Sequence, residues 1–210
     1  MDDACCSGAC PSAQAVDPRA RSALWVALVL NALMFVVELG ASWTSGSVSL
    51  MADSVDFASD AANYGLSLFV LARARDTRAK AAVFKAACMA AFGIAVLGRA
   101  LHAALDGEPP EALTMGAVGF AALAVNAGVA LMLFRFRAGD ANLRSVWICS
   151  RNDALGNLAV MAAALGVFGT ASAWPDLLVA GVMATLALGG ATTVLRQARR
   201  ELREAVPADR

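Results

Sequence analysis

Charge is what this sequence has least of. Only 16% of its residues are Asp, Glu, Lys or Arg, against about 25% in ordinary soluble proteins, while 59% are hydrophobic and the mean hydropathy is +0.62. That balance argues against a soluble globular domain and suits a single membrane domain within 210 residues. The apolar part contains no Cys-x-x-Cys pair, which weakens any reading as a membrane thiol oxidoreductase. Histidine occurs once, as His102, where an apolar segment ends, and reads as an exposed interfacial side chain. A cleavable signal peptide is also excluded. The first apolar segment is too long, lacks a small-residue cleavage site, and follows a polar tail of about 20 residues.

What is present is a series of six apolar segments, each near the roughly 20 residues a helix needs to span hydrocarbon. They run over Ala23–Trp43, Val48–Ala72, Ala81–Leu105, Ala112–Phe136, Arg144–Phe168 and Trp174–Ala198. The expected fold is an all-α membrane protein, a six-transmembrane-helix bundle. Basic residues gather on alternate connections: Arg73, Arg75, Arg78 and Lys80 on the second, Arg135, Arg137 and Arg144 on the fourth, and Arg196, Arg199, Arg200 and Arg203 after the last segment. The first and fifth connections have no Lys or Arg, and the third is acidic. The positive-inside rule then predicts that both termini are cytoplasmic, with Arg99 as the exception. Trp25, Trp43 and Trp174 stand at segment ends, where an aromatic belt would put them. The expected division is a disordered cytoplasmic tail over 1–20, a six-helix transmembrane domain over 21–200, and a short cytoplasmic tail over 201–210.

The scarce charges are not all at segment ends. Asp53, Asp56 and Asp60 interrupt the second apolar segment at i, i+3 and i+7, one face of a helix. A carboxylate at the centre of a spanning helix costs roughly 2.5–3.5 kcal/mol on insertion scales, so three of them require a reason. Cys149 and Asp153 repeat the i, i+4 spacing of Asp56 and Asp60 in the fifth segment. Two such steps facing each other supply three carboxylates and one thiolate, a four-ligand set suited to a zinc-like cation. Fully ionised, the set carries −4 against +2, so the empty site is expected to hold protons and to release them when metal binds. That competition is the physical basis for metal–proton exchange. The bland alternative, hydrogen-bonded carboxylates that stabilise the bundle, suits one Asp better than four acidic groups.

The run from Glu38 through Gly46, Asp53 and Asp56 to Asp60 resembles the first two helices of the cation diffusion facilitator family. Asn31, seven residues before Glu38, is similar to the family's first helix; Asn126, the run Asp153 to Asn157, and Asp176 match later helices in order. The resemblance covers about residues 24–200. It implies a divalent metal transporter with six transmembrane helices and a metal site made by a [HD]-x-x-x-D step on the second and fifth helices. Carried onto this sequence, the ligands are Asp56, Asp60, Cys149 and Asp153, with Asp53, Glu38, Asn31, Asn126 and Asn157 as pathway or supporting residues. Cys149 departs from the usual His or Asp, and Asp56 from the His common in zinc exporters. The mixed set favours zinc first, then cadmium, cobalt and nickel, and its carboxylates keep manganese and iron(II) open. Ten residues follow position 200, so the cytoplasmic domain that most members use for dimerisation is expected to be missing.

The resulting expectation is a proton-coupled divalent cation exporter in a bacterial inner membrane, working by alternating access. It would not be an enzyme and would have no prosthetic group. Its partners would be lipid, the metal ion and protons, with a homodimer open and no nucleic acid. The rival is a membrane metal sensor or store that binds metal but passes no flux. Cys5, Cys6 and Cys10 in the N-terminal tail would be reduced thiols able to capture a soft cation or be incidental. Cys88 reads as a packing residue. Arg151 reads as an interfacial side chain or a partner of Asp153, and Asp176, beside Pro175, as the N-cap of the last helix.

Overall fold

A computed structural model of the protein describes residues 18–69, 75–135 and 141–204, with the side chains of 69, 75–79, 81, 85, 141–149, 197 and 201–204 set aside. These residues form six helices: α1 (Pro18–Ser45), α2 (Val48–Phe69), α3 (Arg75–Asp106), α4 (Ala112–Phe134), α5 (Ala141–Thr170) and α6 (Trp174–Glu204). Five of them contain stretches long and apolar enough to cross a membrane, and α2, which carries Asp53, Asp56 and Asp60, falls outside that group. The protein is a multi-pass, all-helical membrane protein.

The helices outrun the apolar segments. α3 begins at Arg75 and α5 at Ala141, several residues before the apolar stretches at Ala81 and Arg144, because Ala, Lys and Arg are good helix formers whose charged ends reach past the hydrocarbon. α1 and α6 likewise pass the expected tail boundaries at 20 and 200.

Connections at one end of the bundle are short and sharply specified. Only Gly46 and Ser47 separate α1 from α2. Gly46 has φ +74°, a left-handed conformation that glycine adopts without a Cβ clash and that ends α1. Ser47 caps α2 by accepting the Leu50 amide at 3.1 Å. Gly107, with φ +72°, ends α3 in the same way. The Glu111 amide before α4 donates to the Ser45 carbonyl at 2.9 Å, fastening α4 to the end of α1.

α1 packs with α2, α4 with α5, and α3 with α6, while α2 also meets α3, α5 and α6. The pattern of exposure is inverted relative to a soluble protein. On α1 the buried stripe includes Ala20, Ala23, Ala27, Asn31, Glu38 and Ser42, whereas Val26, Val29, Leu33, Val36 and Val37 face outward. Large aliphatics on the outside and small or polar residues within is the arrangement that lipid selects. Trp43 and Trp174 are exposed at helix ends. The Arg99 guanidinium lies over the Trp43 ring, 5.7 Å from its centroid, which accounts for a cation at the end otherwise poor in positive charge.

Candidate metal site

The interior is layered. Leu24, Ala27, Tyr64, Val129 and Leu133 form one apolar cluster, and Met34, Phe57 and Ala122 form another. Asn31 stands between Ala27 and Met34 on α1, Asp60 between Phe57 and Tyr64 on α2, and Asn126 between Ala122 and Val129 on α4. The three polar residues therefore share one depth. Gly119 on α4 faces Val160 on α5, and seven residues along these antiparallel helices bring Asn126 level with Asp153. A polar layer thus crosses the bundle, drawn from α1, α2, α4 and α5.

Tyr64 ties the two acidic helices together. Its hydroxyl donates to Asp60 Oδ2 at 3.2 Å, one turn back on α2, and lies 2.8 Å from Ser150 Oγ on α5. Asp60, Tyr64 and Ser150 are all buried, so α2 and α5 meet at these three side chains inside the bundle, away from bulk water. Ser150 adjoins Cys149 and precedes Asp153 by three residues on the same helix. The Cys149 side chain lies outside the described residues, as do Cys5, Cys6 and Cys10. Among the described residues, no three His, Cys, Asp or Glu side chains converge on one point.

One turn further along α2, Asp56 is half-buried, and Asp53 is only 1% exposed. Glu38 of α1 is fully buried. Asp53, Asp56 and Asp60 span seven residues, or about 10 Å of helix rise, so carboxylates run from the polar layer toward the α1–α2 turn. Asn31 donates from Nδ2 to the Ala27 carbonyl at 2.8 Å. Its Oδ1, Asn126 Oδ1, and both amide atoms of Asn157 are buried with no hydrogen-bond partner among the described residues. Such groups are the ones that a hydrated or partly hydrated ion could satisfy.

The structure corrects one local reading. Asp176 does not cap its own helix; it lies in the first turn of α6 and caps α2. Its carboxylate accepts the Val48 amide at 2.7 Å, the Ser49 amide at 3.1 Å, and the hydroxyls of Ser47 and Ser49 at 2.7 and 2.6 Å. Orphan amides at the start of a buried helix need an acceptor, and α6 passes close enough to supply one. Of the other residues singled out, His102 is exposed and pairs with Asp106 at 2.6 Å. Arg151 is exposed and donates to Asn152 Oδ1 at 3.2 Å. Cys88 is a free, partly buried thiol. A cavity of about 310 Å³ opens between Trp43, Arg99, His102 and Asp106, away from the acidic steps.

Sequence reasoning missed Tyr64 and Ser150. The available signal was positional: the only tyrosine in the chain stands four residues after Asp60, and the serine follows Cys149 directly. The chain matches the cation efflux transmembrane domain over residues 24–208, nearly its whole described length. No curated protein matches it.

Proposed function

The chain belongs to the cation efflux family of divalent cation transporters, and from that premise we propose that it exports a zinc-like cation in exchange for protons, using Asp56, Asp60, Cys149 and Asp153. The observation that carries this reading is the Tyr64 hydroxyl shared between Asp60 of α2 and Ser150 of α5. Two helices joined by one hydroxyl beside their acidic steps can aim their ligands at a common ion.

In this proposal both termini face the cytoplasm, in keeping with the basic residues on alternate connections. Metal enters from that side and meets the polar layer, where the amides of Asn31, Asn126 and Asn157 ease its dehydration. Carboxylates and thiol lose their protons as the ion binds, since only the deprotonated forms are ligands. Tyr64 holds Asp60 in place from outside the coordination sphere, the role that hydrogen-bonded partners of metal ligands commonly play. The bundle then rocks to open the site toward the α1–α2 turn, and protons arriving from that side displace the ion. A thiolate among three carboxylates favours zinc, cadmium, cobalt and nickel, and leaves manganese and iron(II) as weaker cargo. The membrane in this reading is a bacterial inner membrane.

The test is flux into proteoliposomes, with these metals in parallel under an imposed pH gradient. Gradient-dependent flux that disappears in Asp60→Ala, with the variant still inserted and monodisperse, is the expected result. Flux that survives Asp60→Ala removes the site assignment. Binding without flux for any metal favours the sensor or storage protein instead.

A further inference from the structure

The cavity beside the α1–α2 turn takes no part in transport as proposed, yet it carries charges of both signs. Its lining includes Trp43 of α1, Arg99, His102 and Asp106 of α3, and Glu108 of the connection to α4, and its volume is about 310 Å³. That is the lower end of the roughly 300–1,000 Å³ found in ligand pockets. The connection that walls it is held in place. Gly107 turns the chain at φ +72°, Pro109 and Pro110 restrict the backbone that follows, and the Glu111 amide is fastened to the Ser45 carbonyl at 2.9 Å. Arg99 is half-buried and lies over the Trp43 ring, but among the described residues it makes no ion pair or hydrogen bond. A cation–π contact orients a guanidinium and leaves its N–H donors unused. Asp106 stands two turns beyond Arg99 on α3, about 10 Å of rise, and meets His102 Nδ1 through Oδ2 alone. Glu108 is exposed and has no partner among the described residues. One cavity thus presents a guanidinium without a counter-ion and, apart from it, two carboxylates.

We propose that this cavity binds the headgroup of a phosphatidylethanolamine lipid, with its phosphate on Arg99 and its ammonium on Asp106 and Glu108. A lone anion would meet the carboxylates, and a lone cation would meet the guanidinium; a ligand carrying both charges satisfies both. The guanidinium fork matches phosphate oxygens, and a primary ammonium supplies three donors to carboxylate oxygen. Position favours a lipid over a soluble zwitterion. Trp43 is 70% exposed, as befits an indole at headgroup level. Leu101 and Leu105, exposed on the same stretch of α3, offer aliphatic surface to acyl chains. A lipid held there bridges the end of α1, the end of α3 and the connection to α4. The site goes beyond the transport reading and does not depend on it.

The experiment titrates the full chain, delipidated in detergent, with phosphatidylethanolamine, phosphatidylcholine and phosphatidylglycerol of matched acyl chains, and counts bound lipid by native mass spectrometry. Expected is a single tight equivalent with phosphatidylethanolamine preferred, because choline has no N–H donor and the glycerol lipid has no cation for the carboxylates. Arg99→Ala should weaken that equivalent by about 10-fold, the effect of losing one charge-assisted contact. Asp106→Asn combined with Glu108→Gln should do the same, and should erase the preference over phosphatidylglycerol. Both of these side chains are exposed, so that double variant decides the matter should Arg99→Ala fail to fold. Equal retention of the three lipids, or retention unchanged in the variants, overturns the site. A preference for phosphatidylglycerol that needs Arg99 but neither carboxylate overturns the zwitterion assignment and leaves an anion site. Glycerophosphoethanolamine, the same headgroup without acyl chains, separates the two sources. It should fail to displace the lipid at equal concentration, and displacement at parity overturns the lipid in favour of a soluble ligand.

Discussion

Tyr64 carries the only phenolic hydroxyl in the chain, and that group is placed where a metal ligand needs orienting. Tyr64→Phe keeps the ring in its apolar cluster with Leu24, Ala27 and Val129 and removes only the link between Asp60 and Ser150. Loss of such a supporting hydrogen bond commonly weakens metal affinity by roughly 10-fold or more. The expected result in proteoliposomes is a KM for zinc raised by about that factor, with the protein still folded and inserted. An unchanged KM would show that the hydroxyl is bystander packing. The acidic steps were legible in the sequence because an Asp within an apolar stretch is conspicuous on energetic grounds alone. Tyr64 and Ser150 were not, because buried tyrosine and serine are ordinary in any helix bundle, and only the crossing of α2 and α5 gives them a shared task.

At the level of the helices, the clasp between α6 and α2 stands out. Asp176 satisfies amides and hydroxyls that belong to a helix beginning 128 residues earlier. Replacing it with Ala strips α2 of that acceptor at a buried end. Losing a cap usually costs about 0.5–2 kcal/mol, and this one holds four donors, so the upper part of that range is expected. Thermal unfolding in detergent should show a lowered Tm for Asp176→Ala, with Asp176→Asn intermediate because its amide oxygen still accepts. Equal midpoints for all three proteins would mean that water satisfies the α2 terminus equally well. The cap misreading has a physical source. Proximity in sequence suggested the helix that Asp176 begins, whereas the need lay at the start of α2, reached only once α6 has folded against it. Helix number and order were legible from hydropathy; helix ends were not, because charged first turns such as that of α3 continue a helix beyond the apolar stretch.

For the whole molecule, the outward-facing aliphatic surface and the polar interior define a bundle whose activity depends on which way it sits. Basic residues on alternate connections predict cytoplasmic termini, so reporters fused to either end should both register on the cytoplasmic side. A reporter read outside would reverse the proposed direction of export. With that orientation, the proposed exchange ties metal movement to the proton gradient. In proteoliposomes of defined orientation, reversing the imposed pH gradient should reverse zinc flux, and collapsing it with a protonophore should leave only downhill exchange. Flux indifferent to the gradient would exclude proton coupling while leaving metal transport in place.

The two-residue turn at Gly46 and Ser47 also bears on how the protein is made. α2 carries three aspartates and lacks the apolarity of a self-sufficient span, yet it is joined to α1, which is long and apolar enough to cross a membrane. A connection that short leaves α2 no independent route into the bilayer: it must enter as the second arm of a hairpin, drawn in by the first. In a glycosylation-mapping assay of nascent chains, α2 presented alone should be rejected and the α1–α2 pair accepted. Efficient insertion of α2 alone would show that its carboxylates are no obstacle at the translocon. On this view Asp56 and Asp60 cross into lipid only under escort, and the tight turn is a requirement of biogenesis as much as of the finished fold.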